Sequence, residues 1–128
     1  LGPWSDNYAL LGSEGSLGEC KLLEGDKKKA AIALLNEFGE SLPVVLRAYA
    51  LANAGKPEEG ASLLSRFVQD QMPGQCPGEH PMYSHRRVGR IDQAIRCLER
   101  FSPTRDVAPL KALLKRAQSC ASNNHAVG

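Results

Sequence analysis

Apolar residues between positions 42 and 70 follow two helical patterns separated by a short break. From 44 to 52 nearly every residue is apolar, which is typical of a helix buried between neighbours. After Gly55 the pattern becomes two-sided. Its apolar side holds Leu63, Leu64, Phe67 and Val68, and its polar side holds Glu58, Glu59, Ser62 and Arg66. This stretch therefore predicts a helical hairpin that packs against neighbours on both flanks.

The same periodicity predicts helices over most of the remaining chain. The expected ranges are 14–24, 27–38, 83–88, 91–101 and 106–120. Three other segments lack a sustained period: an irregular arm at 1–13, a loop rich in proline and glycine at 71–81, and a polar tail at 121–128 that is expected to fray. Since 128 residues is the length of one domain, we expect a single all-α domain over 1–128.

Three segments share a spacing that predicts an internal repeat. Each has a glycine, then a small residue five positions later and a leucine nine positions later. The sets are Gly25, Ala30 and Leu34; Gly55, Gly60 and Leu64; and Gly89, Ala94 and Leu98. Intervals of 30 and 34 residues between the glycines are typical of stacked helical hairpins. In this interpretation each glycine forms a turn between two helices, and the small residue lets those helices approach closely.

These segments resemble the tetratricopeptide repeat family, whose units read W-x-x-L-G-x-x-Y, then a glycine, then an alanine five residues later. The matching residues are Leu17, Gly18, Gly25 and Ala30 in the first unit, Gly55 and Gly60 in the second, and Gly89 and Ala94 in the third. Arg47 replaces an expected leucine, and Pro81-Met82 replaces leucine-glycine. The pentatricopeptide pattern fits the second unit about as well. The resemblance implies about three imperfect antiparallel hairpins stacked as a short right-handed α-solenoid, with a C-terminal capping helix.

Tetratricopeptide proteins bind peptides or partner proteins in a groove lined by the first helix of each hairpin. By position, the resemblance assigns partner binding to Tyr49 and Asn53, with Arg86 and Arg87 near the third unit. Arg90 is added as a member of the same basic cluster as Arg86 and Arg87. Tyr49 has an alternative interpretation as a core residue, because it lies on a mostly apolar helix. The resemblance therefore implies a non-catalytic adaptor or chaperone with a protein or peptide partner. An exposed apolar flank would also permit a homodimer.

The charge distribution supports a second interpretation, RNA binding by the C-terminal half. The chain carries a net charge of +2, but residues 1–69 carry −2 and residues 70–128 carry +4. Arg86 and Arg90 are four residues apart and share a helix face. Phosphate contact requires little beyond well-placed positive charge, whereas aromatic side chains for base stacking are few in this chain. RNA binding is therefore the alternative to peptide binding.

The four cysteines, Cys20, Cys76, Cys97 and Cys120, are widely spaced and form no CxxC pair. Disulfides would require a secreted chain. The first residues lack a basic region followed by an apolar one, and no apolar run is long enough to cross a bilayer. The sequence therefore predicts a cytoplasmic protein without membrane contact, with reduced thiols that are buried between helices at Cys20 and Cys97.

Motifs for catalysis or cofactor binding are not found. The sequence has no GxxxxGK[ST], HExxH, GxSxG or GxGxxG pattern. Cys76, His80 and His85 form a C-x3-H-x4-H pattern, and cysteine and histidine are zinc ligands. The spacing is not a standard one, so a loop with incidental cysteine and histidine is the better explanation. We expect no catalytic residue, no metal site and no cofactor.

Overall fold

A computed structural model describes residues 20–127, and it describes side chains over 20–123. Within this part of the chain there are five α-helices, one short 3-10 helix and no strand. The helices are α1 (Asp26–Phe38), α2 (Val44–Asn53), α3 (Pro57–Gln71), α4 (Pro81–Phe101) and α5 (Ala108–Val127), and the 3-10 helix is Gly39–Ser41. The predicted all-α class is therefore confirmed. Over the same residues, no helix has both the length and the apolar character needed to cross a membrane.

The hairpin predicted between positions 42 and 70 is present as α2 and α3. Only three residues connect the two helices, and Gly55 among them has a φ of 88°, a conformation that side chains rarely adopt. Gly60 lets α3 approach α2 closely, because a Cβ atom there would lie 2.6 Å from the carbonyl oxygen of Ala48. The small residue of this hairpin therefore has the packing purpose that the repeat spacing predicted.

Each helix packs chiefly on its neighbours in the sequence, and α2 also contacts α4 while α3 contacts α5. The core runs through all five helices. Its largest fully buried apolar side chains are Tyr49, Leu34, Leu64, Ile91, Leu98 and Val68. The helix α2 is buried on most of its circumference, as its continuous apolar pattern predicted. It packs against α1 and α3, and it also contacts α4.

The third predicted hairpin is not present, because α4 is one continuous helix of 21 residues. Gly89 was expected to form a turn between helices at 83–88 and 91–101, but it lies inside α4. Glycine in a helix interior costs only about 1 kcal/mol relative to alanine. Packing of the apolar side of α4 outweighs that cost, since Ile91, Ala94 and Leu98 are fully buried.

Residues 20–24 are not helical, which corrects the C-terminal part of the helix expected at 14–24. Their backbone is held by side chains of α2: the Tyr49 hydroxyl donates to the carbonyl oxygen of Lys21 over 2.8 Å, and the Leu23 amide donates to the Asn53 side chain. These two hydrogen bonds satisfy backbone groups that a helix would have satisfied within itself. The irregular arm expected at 1–13 and the remainder of that helix lie outside the described residues.

The boundaries of the loop and the last helix follow the proline and glycine positions. Residues 72–80 form the connection between α3 and α4, close to the loop predicted at 71–81. The helix α5 continues to Val127, so the tail expected to fray from 121 is helical over 121–127. The sequence from 110 to 127 contains neither proline nor glycine, and nothing in it terminates a helix.

All four cysteines are paired, so the expectation of reduced thiols is wrong. Cys20 bonds to Cys97 and Cys76 bonds to Cys120, with Cα atoms 5.1 and 5.4 Å apart. The first disulfide holds the segment before α1 against α4, and the second holds the 72–80 loop against α5. The pairs are 77 and 44 residues apart in sequence, for which chain entropy gives about 4 kcal/mol of stabilisation each.

Candidate functional site

An open groove lies on the surface of the protein between α2 and α3. It has a volume of about 490 Å³, within the range of roughly 300–1,000 Å³ that is usual for ligand sites. Its lining residues are Arg47 and Leu51 from α2 and Glu58, Glu59, Ser62, Leu63 and Arg66 from α3. Spacings of three and four residues place each set on one side of its helix. The groove is therefore built by the hairpin of α2 and α3.

The floor of the groove is apolar and its rim is charged. Leu51 and Leu63 are half-buried, one from each helix. The guanidinium groups of Arg47 and Arg66 form no ion pair with any carboxylate in residues 20–123, and neither does Glu59 with any basic group there. The lining therefore carries two arginines and two glutamates, and because Glu58 is paired with Arg105, two positive groups and one negative group remain unpaired beside the apolar strip. This favours a ligand with both apolar and acidic groups.

Glu58, at the N-terminal end of α3, already has partners. Its carboxylate accepts hydrogen bonds from the Ser102 hydroxyl over 2.8 and 3.1 Å and from Arg105 over 3.3 Å. Arg105 also donates to the hydroxyl of Ser62 over 3.1 Å. The hydrogen bond from Ser102, followed by that from Arg105, lowers the pKa of Glu58. This network joins the start of α3 to the connection between α4 and α5, so the groove is held by residues far along the chain.

Tyr49 and Asn53 do not line an accessible groove, which corrects their assignment as partner-binding residues. They are only 1% and 2% exposed. The Asn53 amide donates to the carbonyl oxygen of Tyr49 over 2.9 Å, within α2, while both side chains bind the backbone at 20–24. Burial raises the pKa of the Tyr49 hydroxyl. The alternative interpretation of Tyr49 as a core residue is therefore confirmed.

The three arginines predicted on α4 differ in their surroundings. Arg87 is 16% exposed and forms a bidentate ion pair with Glu79, which also accepts a hydrogen bond from Ser84 over 3.0 Å. The hydrogen bond from Arg87 is the main reason that the pKa of Glu79 is lowered. Arg90 donates to the Gln71 side chain over 3.1 Å, and Arg86 is exposed. Arg87 therefore fixes the 72–80 loop to α4, while Arg86 and Arg90 remain at the surface.

The possible zinc ligands at Cys76, His80 and His85 do not form a cluster. Cys76 is bonded to Cys120, and His80 caps α4 by accepting a hydrogen bond from the Met82 amide over 3.1 Å. No group of three or more metal-binding side chains comes together in the part of the chain that the structure describes. Cys76 thus has a structural role in place of the thiolate that a zinc site would need.

Comparison with known proteins finds no matching family model, no matching curated protein and no matching solved structure. The resemblance to tetratricopeptide repeats therefore stays a prediction, and the function of the groove follows from its own residues.

None of the seven residues that line the groove was assigned to binding from the sequence. One signal was present, because Arg47 interrupts an otherwise apolar helix. A charged residue at that place is stable only if its side chain reaches solvent, and the groove provides that exit. The hydrogen bonds of Ser102 and Arg105 to Glu58 could not be predicted from the neighbouring sequence, since these residues lie more than 40 positions from Glu58.

Proposed function

We propose that this protein is a non-catalytic module that binds a peptide segment of a partner protein in the groove between α2 and α3. The observation that carries the proposal is the pair of arginines, Arg47 and Arg66, beside the apolar floor made by Leu51 and Leu63. Arginine presents a fork of donors that suits a carboxylate. A peptide with acidic side chains next to an apolar residue satisfies both features of the groove.

The order of the helices supports an adaptor role. Each described helix packs on the next, α2 also touches α4 and α3 also touches α5, and this sequential packing supports the proposal of a short α-solenoid. Such scaffolds present binding surfaces without chemistry of their own. A right-handed solenoid with a tetratricopeptide-like hairpin at its centre is therefore part of the proposal, and a chaperone that holds exposed segments of other proteins is a role of the same kind.

Binding of a defined peptide tests the proposal. The probe is a fluorescently labelled peptide with two aspartates around a leucine, and its control has lysines in place of the aspartates. Fluorescence anisotropy should show binding of the acidic peptide only. Replacing Arg47 or Arg66 by alanine should weaken its affinity by about threefold to tenfold, because each removes one charge-assisted contact.

A matched control is Arg96→Ala. Arg96 is an exposed arginine on α4 that pairs with Asp92 over 3.1 Å, so its replacement removes the same charge outside the groove. The affinity for the acidic peptide should then stay unchanged. Equal binding of the lysine peptide would show that the arginines do not select acidic side chains. An equal loss of affinity in Arg96→Ala would show that general charge attraction and not the groove is responsible.

RNA binding is the second candidate, and one surface of α4 favours it. Tyr83 is 52% exposed and lies on α4 near the exposed Arg86 and Arg90, which gives one ring for stacking beside two positive charges. A labelled single-stranded RNA should then bind with an affinity that falls steeply with salt. Replacing Arg86 and Arg90 together by alanine should abolish that binding and leave peptide binding intact.

The two disulfides support an oxidising compartment for this protein in place of the cytoplasm. Disulfides persist in secreted and extracellular proteins, whereas the cytoplasm keeps thiols reduced. Peptide mapping of the protein purified from its native source, with free thiols blocked during lysis, should find both disulfides formed. Four blocked thiols in that sample would restore the cytoplasmic prediction.

A further inference from the structure

The two disulfides differ in their accessibility. Cys20 and Cys97 are each 1% exposed, so the first disulfide lies entirely within the core. Cys76 is exposed on the 72–80 loop, and only its partner Cys120 is buried, at 3%. Thiol exchange requires that an incoming thiolate reach one of the two sulfurs. The second disulfide is therefore the one that an external thiol can reach while the fold is intact.

The Cys76 to Cys120 bond and a second link join the 72–80 loop to α5. The second link is Arg116, whose guanidinium donates to the carbonyl oxygens of Pro73 and Gly74 over 2.6 and 3.1 Å. Arg116 lies one helical turn before Cys120, so both links use the same side of α5. The far end of the loop is held separately on α4 through Glu79 and Arg87. Breaking the disulfide thus frees the middle of the loop and leaves its ends attached.

From this arrangement we infer that the disulfide between Cys76 and Cys120 is a site of thiol–disulfide exchange, which takes glutathione or a dithiol of an oxidoreductase as its reductant. The incoming thiolate attacks the sulfur of Cys76 and forms a mixed disulfide. The bond to Cys120 breaks, and Cys120 leaves as a thiolate that takes a proton from water. A second thiol then reduces the mixed disulfide, so that Cys76 ends as a thiol and the reductant ends as its own disulfide.

Arg116 lies one helical turn before Cys120 and holds the start of the loop independently of the disulfide. Exchange frees the middle of the loop from α5, while Arg116 still holds its start and the buried Cys20 to Cys97 bond keeps α4 attached to the start of the described chain. The groove between α2 and α3 lies on other elements, so the reduced protein should still bind the acidic peptide.

The experiment uses the oxidised full chain with reduced glutathione at neutral pH. Iodoacetamide blocks thiols at timed intervals, and peptide mass mapping identifies the modified cysteines. Glutathione on Cys76 and the blocking group on Cys120 should appear first. Modification of Cys20 and Cys97 should be at least about tenfold slower, because it requires opening of the core. Hydrogen exchange of the product should be faster at 72–80 and in α5 near Cys120, and unchanged in α2.

Two double variants form a matched pair. In Cys20→Ser with Cys97→Ser, exchange at Cys76 should keep its rate, and in Cys76→Ser with Cys120→Ser the loop should show the fast hydrogen exchange without any reductant. The inference is overturned if both disulfides of the native chain react at one rate, if Cys20 reacts first, or if Cys76 reacts only under denaturing conditions. It is also overturned if loss of the second disulfide leaves hydrogen exchange at 72–80 unchanged.

Discussion

At the scale of single residues, neighbouring side chains on one helix divide between the core and the groove. Leu63 and Leu64 are adjacent on α3, yet Leu64 is completely buried while Leu63 is half-buried on the floor of the groove. Arg47 and Tyr49 on α2 show the same division, since one lines the groove and the other anchors the backbone at 20–24. The two kinds of residue should respond differently to substitution.

Leu64→Ala tests the core assignment. It should lower the free energy of unfolding by roughly 2–5 kcal/mol, because it leaves a cavity in a packed interior. Leu63→Ala is the matched control and should cost clearly less, while it weakens binding of the acidic peptide. Denaturant unfolding measures the first effect and anisotropy the second. A similar loss of stability in both variants would mean that the groove floor is part of the core.

The ion pair of Glu79 with Arg87 predicts an acid dependence of stability. The hydrogen bond from Arg87 lowers the pKa of Glu79 below its ordinary value of 4.5 in the folded state. A group with a lowered pKa stabilises the fold above its unfolded value, and this stabilisation is lost as the pH falls through the folded value. The denaturant concentration at the unfolding midpoint should therefore decrease as the pH is lowered below 4.5, and this decrease should be smaller in Glu79→Gln. The control is Glu59→Gln, which removes an exposed carboxylate from α3. Its denaturant midpoint should decrease with pH as much as that of the native chain.

At the scale of elements, the sequence predicted local features such as helices and turns well, and it predicted hardly any contact between residues far apart in the chain. Gly55 forms the turn after α2 where the sequence predicted it, and the apolar pattern of α2 correctly predicted a buried helix. The disulfides and the network of Glu58 with Ser102 could not be predicted, because they join residues far apart in the sequence that only the packing of the whole fold brings together. Gly89 is the opposite case, in which a local turn signal was outweighed by packing of the helix.

Alanine substitutions at Gly89 and Gly60 separate the effect of a glycine inside a helix from the effect of close packing between helices. Gly89→Ala should raise the free energy of unfolding by up to about 1 kcal/mol, since it lies inside α4 with no atom within 4 Å of the new Cβ. Gly60→Ala should lower it by about 1–3 kcal/mol, because the new Cβ would overlap the Ala48 carbonyl oxygen. Thermal unfolding compares the two variants. Destabilisation by Gly89→Ala would contradict a continuous α4.

At the scale of the whole molecule, disulfides and polar links hold the ends of a helical stack whose middle carries the groove. The Cys20 to Cys97 bond fixes the start of the described chain on α4, and the second disulfide fixes α5 to the 72–80 loop. Between them, the hairpin of α2 and α3 combines an apolar floor with two arginines that have no carboxylate partner among residues 20–123. A rigid frame around a preformed groove suits recognition of a peptide, since little conformational freedom is lost on binding.

Backbone chemical-shift mapping on the isotope-labelled full chain tests the binding site most directly. The labelled chain is titrated with the same peptide, two aspartates around a leucine. We predict shifts concentrated at Arg47, Leu51, Leu63 and Arg66, which disappear when Arg47 and Arg66 are both replaced by alanine. Shifts concentrated on α4 around Arg86, or no shifts at all, would contradict a peptide-binding groove between α2 and α3.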